Sequence, residues 1–287
     1  MDLAGRAMSH IYWMSDSFQE HLIGGAEICD EQVILALRSK GWSVDKVRSK
    51  NVTQELVHST QERWVISNFH EAHPSALTAF RGKRYVMIEH DHKYAPGRNP
   101  AQWADFIVPP DSLQNEELYN GATLVFAQTR WHGEIMRRNL PRAKIESWGT
   151  NFWSDHHYDL MREEGKRKKG EWVSILNSTH PGKGRDASIS VCKQKGWPYM
   201  LISDPDLDNF LRTMGRSKGY LFLPRSPETF SRTCAEAQMM GINVLTNGLV
   251  GCTKEDWWGK VQGEALIDAL KETNRTAVKR LMESLQE

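Results

Sequence analysis

Tyr220-Leu-Phe-Leu-Pro-Arg225-Ser-Pro-Glu-Thr-Phe-Ser-Arg-Thr-Cys-Ala-Glu-Ala-Gln-Met-Met-Gly-Ile-Asn-Val-Leu-Thr-Asn247 is the stretch whose reading decides the fold. The apolar run Tyr220–Pro224 reads as a buried strand. Gly241 stops a helix, and Ile242–Leu245 reads as the next strand. Strand, loop, helix, strand is the unit of a parallel α/β sheet. The loop carries Glu228 and the helix carries Glu236, eight residues on. The spacing predicts a helix start near Thr229 to Ser231, where a hydroxyl can cap free N–H groups. Such a start, with its dipole, suits an anion. Glu228 then stands just outside the anion position and Glu236 about two turns into the helix. A ligand with phosphates in the middle and hydroxyl-rich ends, such as a nucleotide sugar, fits that layout. Spacing alone leaves the plainer reading open, two glutamates as surface charges.

Composition sets the frame. The chain has 287 residues and a formal net charge of +1, so no global field draws it to nucleic acid or membranes. Its hydrophobic content of 39% and charged content of 25% are those of an ordinary soluble protein, and its length has room for one large or two ordinary α/β domains. The 11 tryptophans are many for this length, and they read first as core and interface residues. Cys29, Cys192, Cys234 and Cys252 show no Cys-x-x-Cys or zinc-finger spacing, which predicts free thiols in a reducing, cytoplasmic setting. No apolar run reaches the roughly 18 residues of a transmembrane helix. The first residues lack the apolar segment of a signal peptide, and Met8 is an alternative start with residues 1–7 an extension.

Outward from the opening stretch, the N-terminal half repeats the same logic. His10–Met14 reads as a first strand, followed by Gly24-Gly25-Ala-Glu27 at the entrance of an amphipathic helix ended by Lys40-Gly41. Glycines there let backbone approach a phosphate, although the G-x-G-x-x-G spacing is absent. Further strands are expected at Trp42–Val47, Arg63–Ser67, Tyr85–His90, Phe106–Val108 and Ala122–Ala127. Ligands of open parallel sheets bind beyond the carboxyl ends of the strands. That rule puts His70, His73, His90, Asp91 and His92 on the cleft side. His90-Asp-His92 could hold a metal through alternate imidazoles, or be polar loop residues.

In the C-terminal half, Glu171–Leu176 opens a second set of strands, with Pro198–Ile202 following. Between them Lys183-Gly184 sits in a turn before a helix, where lysine can meet a diphosphate or simply point into solvent. The charged run Arg162–Gly170 has no apolar residue and reads as a solvated linker. The predicted domains are 8–160 and 171–287, the second ending in helices.

Taken together, Pro224, Glu228, Phe230, Glu236-Ala237, Gly241 and Val244 resemble the Glu-x7-Glu segment of retaining glycosyltransferases, closest to family 4. Gly24-Gly25-Ala-Glu27 looks like that family's N-terminal loop, and Lys183-Gly184 matches its Lys-Gly. The resemblance covers about residues 10–260. It implies an α/β GT-B fold, two Rossmann-like domains facing a cleft. It also implies a nucleotide-diphosphate sugar as donor and neither cofactor nor metal. Carried over, Glu236 takes the ribose hydroxyls and Glu228 the sugar hydroxyls. Lys183, the Gly24-Gly25 backbone, Thr229 and Phe230 surround the donor, and His90 touches the sugar and joins Glu228 as catalytic. Two features depart from the family. Ser178 stands where an arginine usually meets the diphosphate, with Arg185 or Arg225 as compensating candidates, and Trp148 and Asn151 alter the crossover between domains.

Acceptor-side candidates are Asp91, His92, Lys93 and Arg98. Basic residues around the His90 strand (Arg81, Lys83, Arg84, Lys93, Arg98) favour an anionic acceptor: phospholipid, polymer phosphate or DNA. The compact length also looks like short phage-encoded members of this class, some of which glycosylate hydroxymethylated pyrimidines in viral DNA, and such an acceptor implies base flipping or single strands. The other readings are a saccharide acceptor, a catalytically silent sugar-nucleotide binder, and an epimerase on the same fold.

Overall fold

A computed structural model describes residues 9–287; the alternative start at Met8 lies outside them. In chain order the strands are β1 His10–Ser15, β2 Ser43–Arg48, β3 Arg63–Ile66, β4 Tyr85–Glu89, β5 Leu124–Ala127, β6 Ile145–Ser147, β7 Val173–Leu176, β8 Tyr199–Ile202, β9 Gly219–Phe222 and β10 Asn243–Thr246. The helices are α1 Gly25–Ser39, α2 Gln54–Ser59, α3 Pro74–Thr78, α4 Glu116–Gly121, α5 Arg130–Asn139, α6 Asp155–Gly165, α7 Arg185–Lys195, α8 Leu207–Gly215, α9 Arg232–Met239 and α10 Glu264–Ser284.

Two sheets result, ordered β2-β1-β3-β4-β5-β6 and β10-β9-β7-β8, with every pairing parallel. Central strands β4, β5 and β9 are buried along their whole length, which is why they read as continuous apolar runs rather than alternating ones. Strand order reverses between β1 and β3 in the first sheet and between β7 and β9 in the second. Crevices open beyond the strand ends at such reversals. The two crevices face each other.

Three expectations from the sequence need correction. Phe106–Val108 is not a strand. Ala104–Phe106 is a tight turn with Asp105 and Phe106 at φ of 53° and 60°. Asn139 takes the place of a neighbouring strand there, accepting from Val108 N and donating to Phe106 O. The place beside β4 is already filled by β5.

The run Arg162–Gly170 is not a free linker. Its first residues complete α6, and Glu164 is fully buried, paired with Arg167 at 2.9 Å and Arg212 at 3.5 Å. Lys169 Nζ donates to the carbonyls of Glu164 and Gly215, tying α6 to α8.

The domain edges also differ from 8–160 and 171–287. Tyr158, Leu160 and Met161 of α6 belong to the second core. Helix α10 serves both: Leu266, Ile267 and Leu270 pack in the second core, whereas Ala277, Val278, Leu281 and Leu285 pack against β1 and α1 in the first. An amphipathic stripe shows that a helix buries one face but not which core receives it.

Candidate functional site

Between the two crevices lies an open cavity of about 440 Å³. Its second-domain wall is built at the β7/β9 reversal. Lys183 comes from the turn after β7 and Glu228 from the turn after β9, and Lys183 Nζ donates to both Glu228 carboxylate oxygens at 2.8 and 2.9 Å. Both positions are backbone-fixed. Glu228 N donates to Leu249 O, and Gly251 N donates to Glu228 O. Gly184 has φ +66°, and a Cβ on it would land on the Leu223 carbonyl, so the Lys183 turn requires glycine there.

Glu236 is buried on α9 and lines the same cavity. Its Oε1 accepts from Trp153 Nε1 at 2.7 Å. Phe230 is in the core, packed near Trp153 and Trp257, so it shapes the wall rather than offering a polar contact. The start of α9 departs from expectation. Ser231 precedes the helix at φ +71° and makes no capping bond. Thr229 does not cap either: its Oγ1 donates to His90 O at 2.7 Å, across the cleft. Residues Ser231 to Thr233 nevertheless line the cavity, so the helix start faces it.

The first-domain wall carries Gly24 and Gly25 at the start of α1, His90 after β4, and Gln128 and Asn151. His90 Nε2 meets Asp30 Oδ1 at 2.7 Å, and its Nδ1 meets Gln128 Nε2. Asp30 is fully buried and also accepts from Trp13 Nε1 and Ser67 Oγ. The chain of contacts continues from Gln128 to Asn151, and from Asn151 Oδ1 to Arg232 Nη1 at 2.5 Å. One polar network therefore runs from the β1/β3 crevice beneath His90 to α9. Glu27, in the first turn of α1, is buried, and burial pushes its carboxyl up.

Sequence reasoning missed Arg232, Trp153 and Asp30, and noted Asn151 only as a departure at the crossover. The Glu-x7-Glu window contained Arg232, but an arginine at a helix start carries no local signal separating a site from a surface.

The remaining candidates separate. His92 is buried, with Nδ1 against Tyr94 Oη at 2.9 Å, and burial pushes its imidazole down to about 4. Lys93 is buried too, bridging Glu89 at 2.7 Å and Asp91 at 3.0 Å. Both are held inside the fold and line neither this cavity nor the second one described below. Burial would raise the Asp91 carboxyl, but Lys93 and Arg98 beside it outweigh that and hold it well below its usual range. Asp91, Arg98 and His90 line a second cavity of about 530 Å³, whose far wall includes His180, Lys183, Arg225 and Glu228. The two cavities thus share His90, Lys183, Glu228 and Thr229. His90, Asp91 and His92 diverge, so they form no joint ligand set. Elsewhere His156, His157 and Asp208 do converge, each imidazole Nε2 facing the one carboxylate. His70 and His73 stay outside both cavities.

The two domains are clasped on one side. Thr129 Oγ1 donates to Thr229 O at 2.8 Å, and Arg130 N donates to Glu255 Oε1 at 2.7 Å. Gly251 permits the approach, since a Cβ on it would strike Thr229 O and Thr129 Oγ1. All four cysteines are buried and unpaired, and no helix of the described residues is long and apolar enough to cross a membrane.

No protein-family model matches the chain, and no curated protein matches it. Solved structures do. A glycosyltransferase from Rickettsia africae aligns at 12% identity over 97% of this chain and 96% of that one, with a TM-score of 0.54. The catalytic domain of starch synthase IV from Arabidopsis thaliana, bound to ADP and acarbose, aligns at 9% identity over 97% and 95%, TM-score 0.53. Anabaena HepE in complex with UDP-glucose aligns at 13% identity over 96% and 91%, TM-score 0.51. The chain has the GT-B fold.

Proposed function

We propose that this protein is a retaining glycosyltransferase, similar to family 4, that moves a sugar from a nucleotide-diphosphate sugar to a hydroxyl acceptor. One observation carries the reading. Lys183, Glu228 and Glu236 on one domain meet Gly24, Gly25 and His90 on the other around a single cavity at both strand reversals. In this reading Glu236 accepts from the ribose hydroxyls and Glu228 from those of the transferred sugar, since ionised carboxylates accept such bonds strongly. Lys183 already lies against Glu228. A diphosphate beside it shares that ammonium and frees Glu228 oxygens for sugar hydroxyls. Lys183 and the starts of α1 and α9 then stabilise negative charge as the diphosphate departs.

The second cavity is the acceptor side, because it shares His90 and Glu228 with the donor cavity. Of the basic residues around the His90 strand, Lys93 is neutralised inside the fold and Arg81 pairs with Glu117. His180 and Arg225 line the second cavity, with Arg98 beside its partner Asp91, and favour an acceptor carrying phosphate, nucleic acid being one. Starch synthase IV with bound acarbose illustrates the saccharide alternative on the same fold.

The test is mass spectrometry, with NMR of the sugar protons to read configuration, of donors and acceptors after incubation with a panel of nucleotide sugars. The acceptor panel includes hydroxymethylcytosine DNA, phospholipid and oligosaccharide. Acceptor-dependent transfer with a retained anomeric configuration supports the proposal. Binding without turnover indicates a silent binder, and an altered donor sugar without acceptor indicates an epimerase. A DNA acceptor further requires affinity that falls steeply with salt.

A further inference from the structure

Arg232 is the first residue of α9, yet its side chain is only 9% exposed. Its guanidinium lies 4.6 Å over the Trp153 ring, and Nη1 donates to Asn151 Oδ1 and to Phe152 O. Nη2 is buried without a hydrogen-bond partner. The nearest carboxylate oxygen, Glu236 Oε1, is 3.5 Å away and already accepts from Trp153. A guanidinium held this firmly, with an N–H edge left unmet, is costly unless something else meets that edge.

The edge belongs to a residue on the wall of the donor cavity, under the start of α1: a Cβ on Gly25 would sit 3.1 Å from Arg232 Cδ. Among the described residues lining this cavity, Lys183 and Arg232 are the only Lys or Arg side chains. Lys183 is shared with Glu228. The arginines that the sequence offered as substitutes for Ser178 are elsewhere. Arg185 binds Asp186 and Asn177, and Arg225 lies on the second cavity.

We propose that Arg232 is the second diphosphate-binding cation of this protein, supplied from the start of α9 in place of the charge missing at Ser178. The proposal rests on the nucleotide-sugar reading of the cavity. A planar fork held by Trp153 and Asn151 suits phosphate oxygens in a way that a mobile lysine does not. It also makes the site selective: a nucleoside monophosphate, reaching Lys183 or Arg232 but not both, gains one cation rather than two.

Calorimetry on the full chain tests this, with UDP, ADP and GDP and their monophosphates as probes. For the best-bound base, Arg232→Gln weakens the diphosphate about 10- to 100-fold and the monophosphate several-fold less, the loss of one charge-assisted contact. Arg232→Lys recovers part of the diphosphate affinity and serves as the probe if the glutamine variant is unstable. Equal losses for both nucleotides in either variant, or unchanged diphosphate binding, overturn the proposal and leave Arg232 a packing residue. A wild-type chain that binds none of the three diphosphates overturns the nucleotide-sugar reading itself, which separates the two failures.

Discussion

The two walls of the cleft use their charged residues in opposite ways. On the β7/β9 side, Lys183, Glu228, Arg232 and Glu236 all reach the cavity. On the β1/β3 side Asp91 and Arg98 reach only the second cavity, and the other charges fold inward. Asp30 sits under His90, and Lys93 is buried between Glu89 and Asp91, with Tyr119 Oη also donating to Glu89. One wall offers its charged side chains to the cavity. The other is a frame that presents His90 and the backbone of Gly24 and Gly25. What separates them is whether a partner waits across the fold.

The largest expected effect tests the frame. Lys93→Met leaves Glu89 buried without its cation and costs about 3–5 kcal/mol, read by urea denaturation. An unchanged midpoint with impaired acceptor turnover would make Lys93 a site residue and erase the contrast. On the binding wall the opposite pattern is expected. Glu228→Gln lowers transfer about 100- to 1000-fold by removing a charged contact to the sugar, while its half-open pair with Lys183 contributes no more than about 1 kcal/mol to stability. Near-full activity in that variant removes Glu228 from the sugar.

Between the walls, Thr229→Val deletes the hydroxyl bond to His90 O and costs about 1 kcal/mol. Small-angle scattering should show a wider average cleft in that variant, and an unchanged profile would make the Thr129 and Arg130 contacts sufficient on their own.

The smallest effect is a pH slope. Burial raises the Glu27 carboxyl above its ordinary 4.5. A raised carboxyl favours the fold below the unfolded value, and that contribution is lost as pH rises through the folded value. Stability of the wild type therefore falls relative to Glu27→Gln above about pH 4.5. Parallel stability curves would place Glu27 in solvent.

Much of this was legible in the sequence. The Glu228–Gly241 unit, Gly24-Gly25 and Lys183-Gly184 are turns whose chemistry is local, and turn chemistry is written in neighbouring residues. The rule that ligands gather beyond strand ends brought His90 to the cleft. Lys93 and His92 were misread for the same reason: a position after a strand tells where the backbone goes and not where a long side chain finds its partner. Thr229 fooled the capping rule because its hydroxyl had a carbonyl available 139 residues away in sequence.

The sequence by itself determined the parallel α/β units, the loops that follow their strands, and the carboxylates at Glu228 and Glu236, while two domains facing a cleft came from the resemblance. Short-range periodicity and turn residues encode those features, and a strand or helix start needs little else. Only the tertiary structure decided that Arg232 is a cavity residue while Lys93 is a buried strut. It likewise decided that α10 serves both cores and that Thr229 clasps the domains rather than capping α9. Each of these depends on a partner far along the chain, and the energy of a charge or hydroxyl is set by what the fold brings within bonding distance of it.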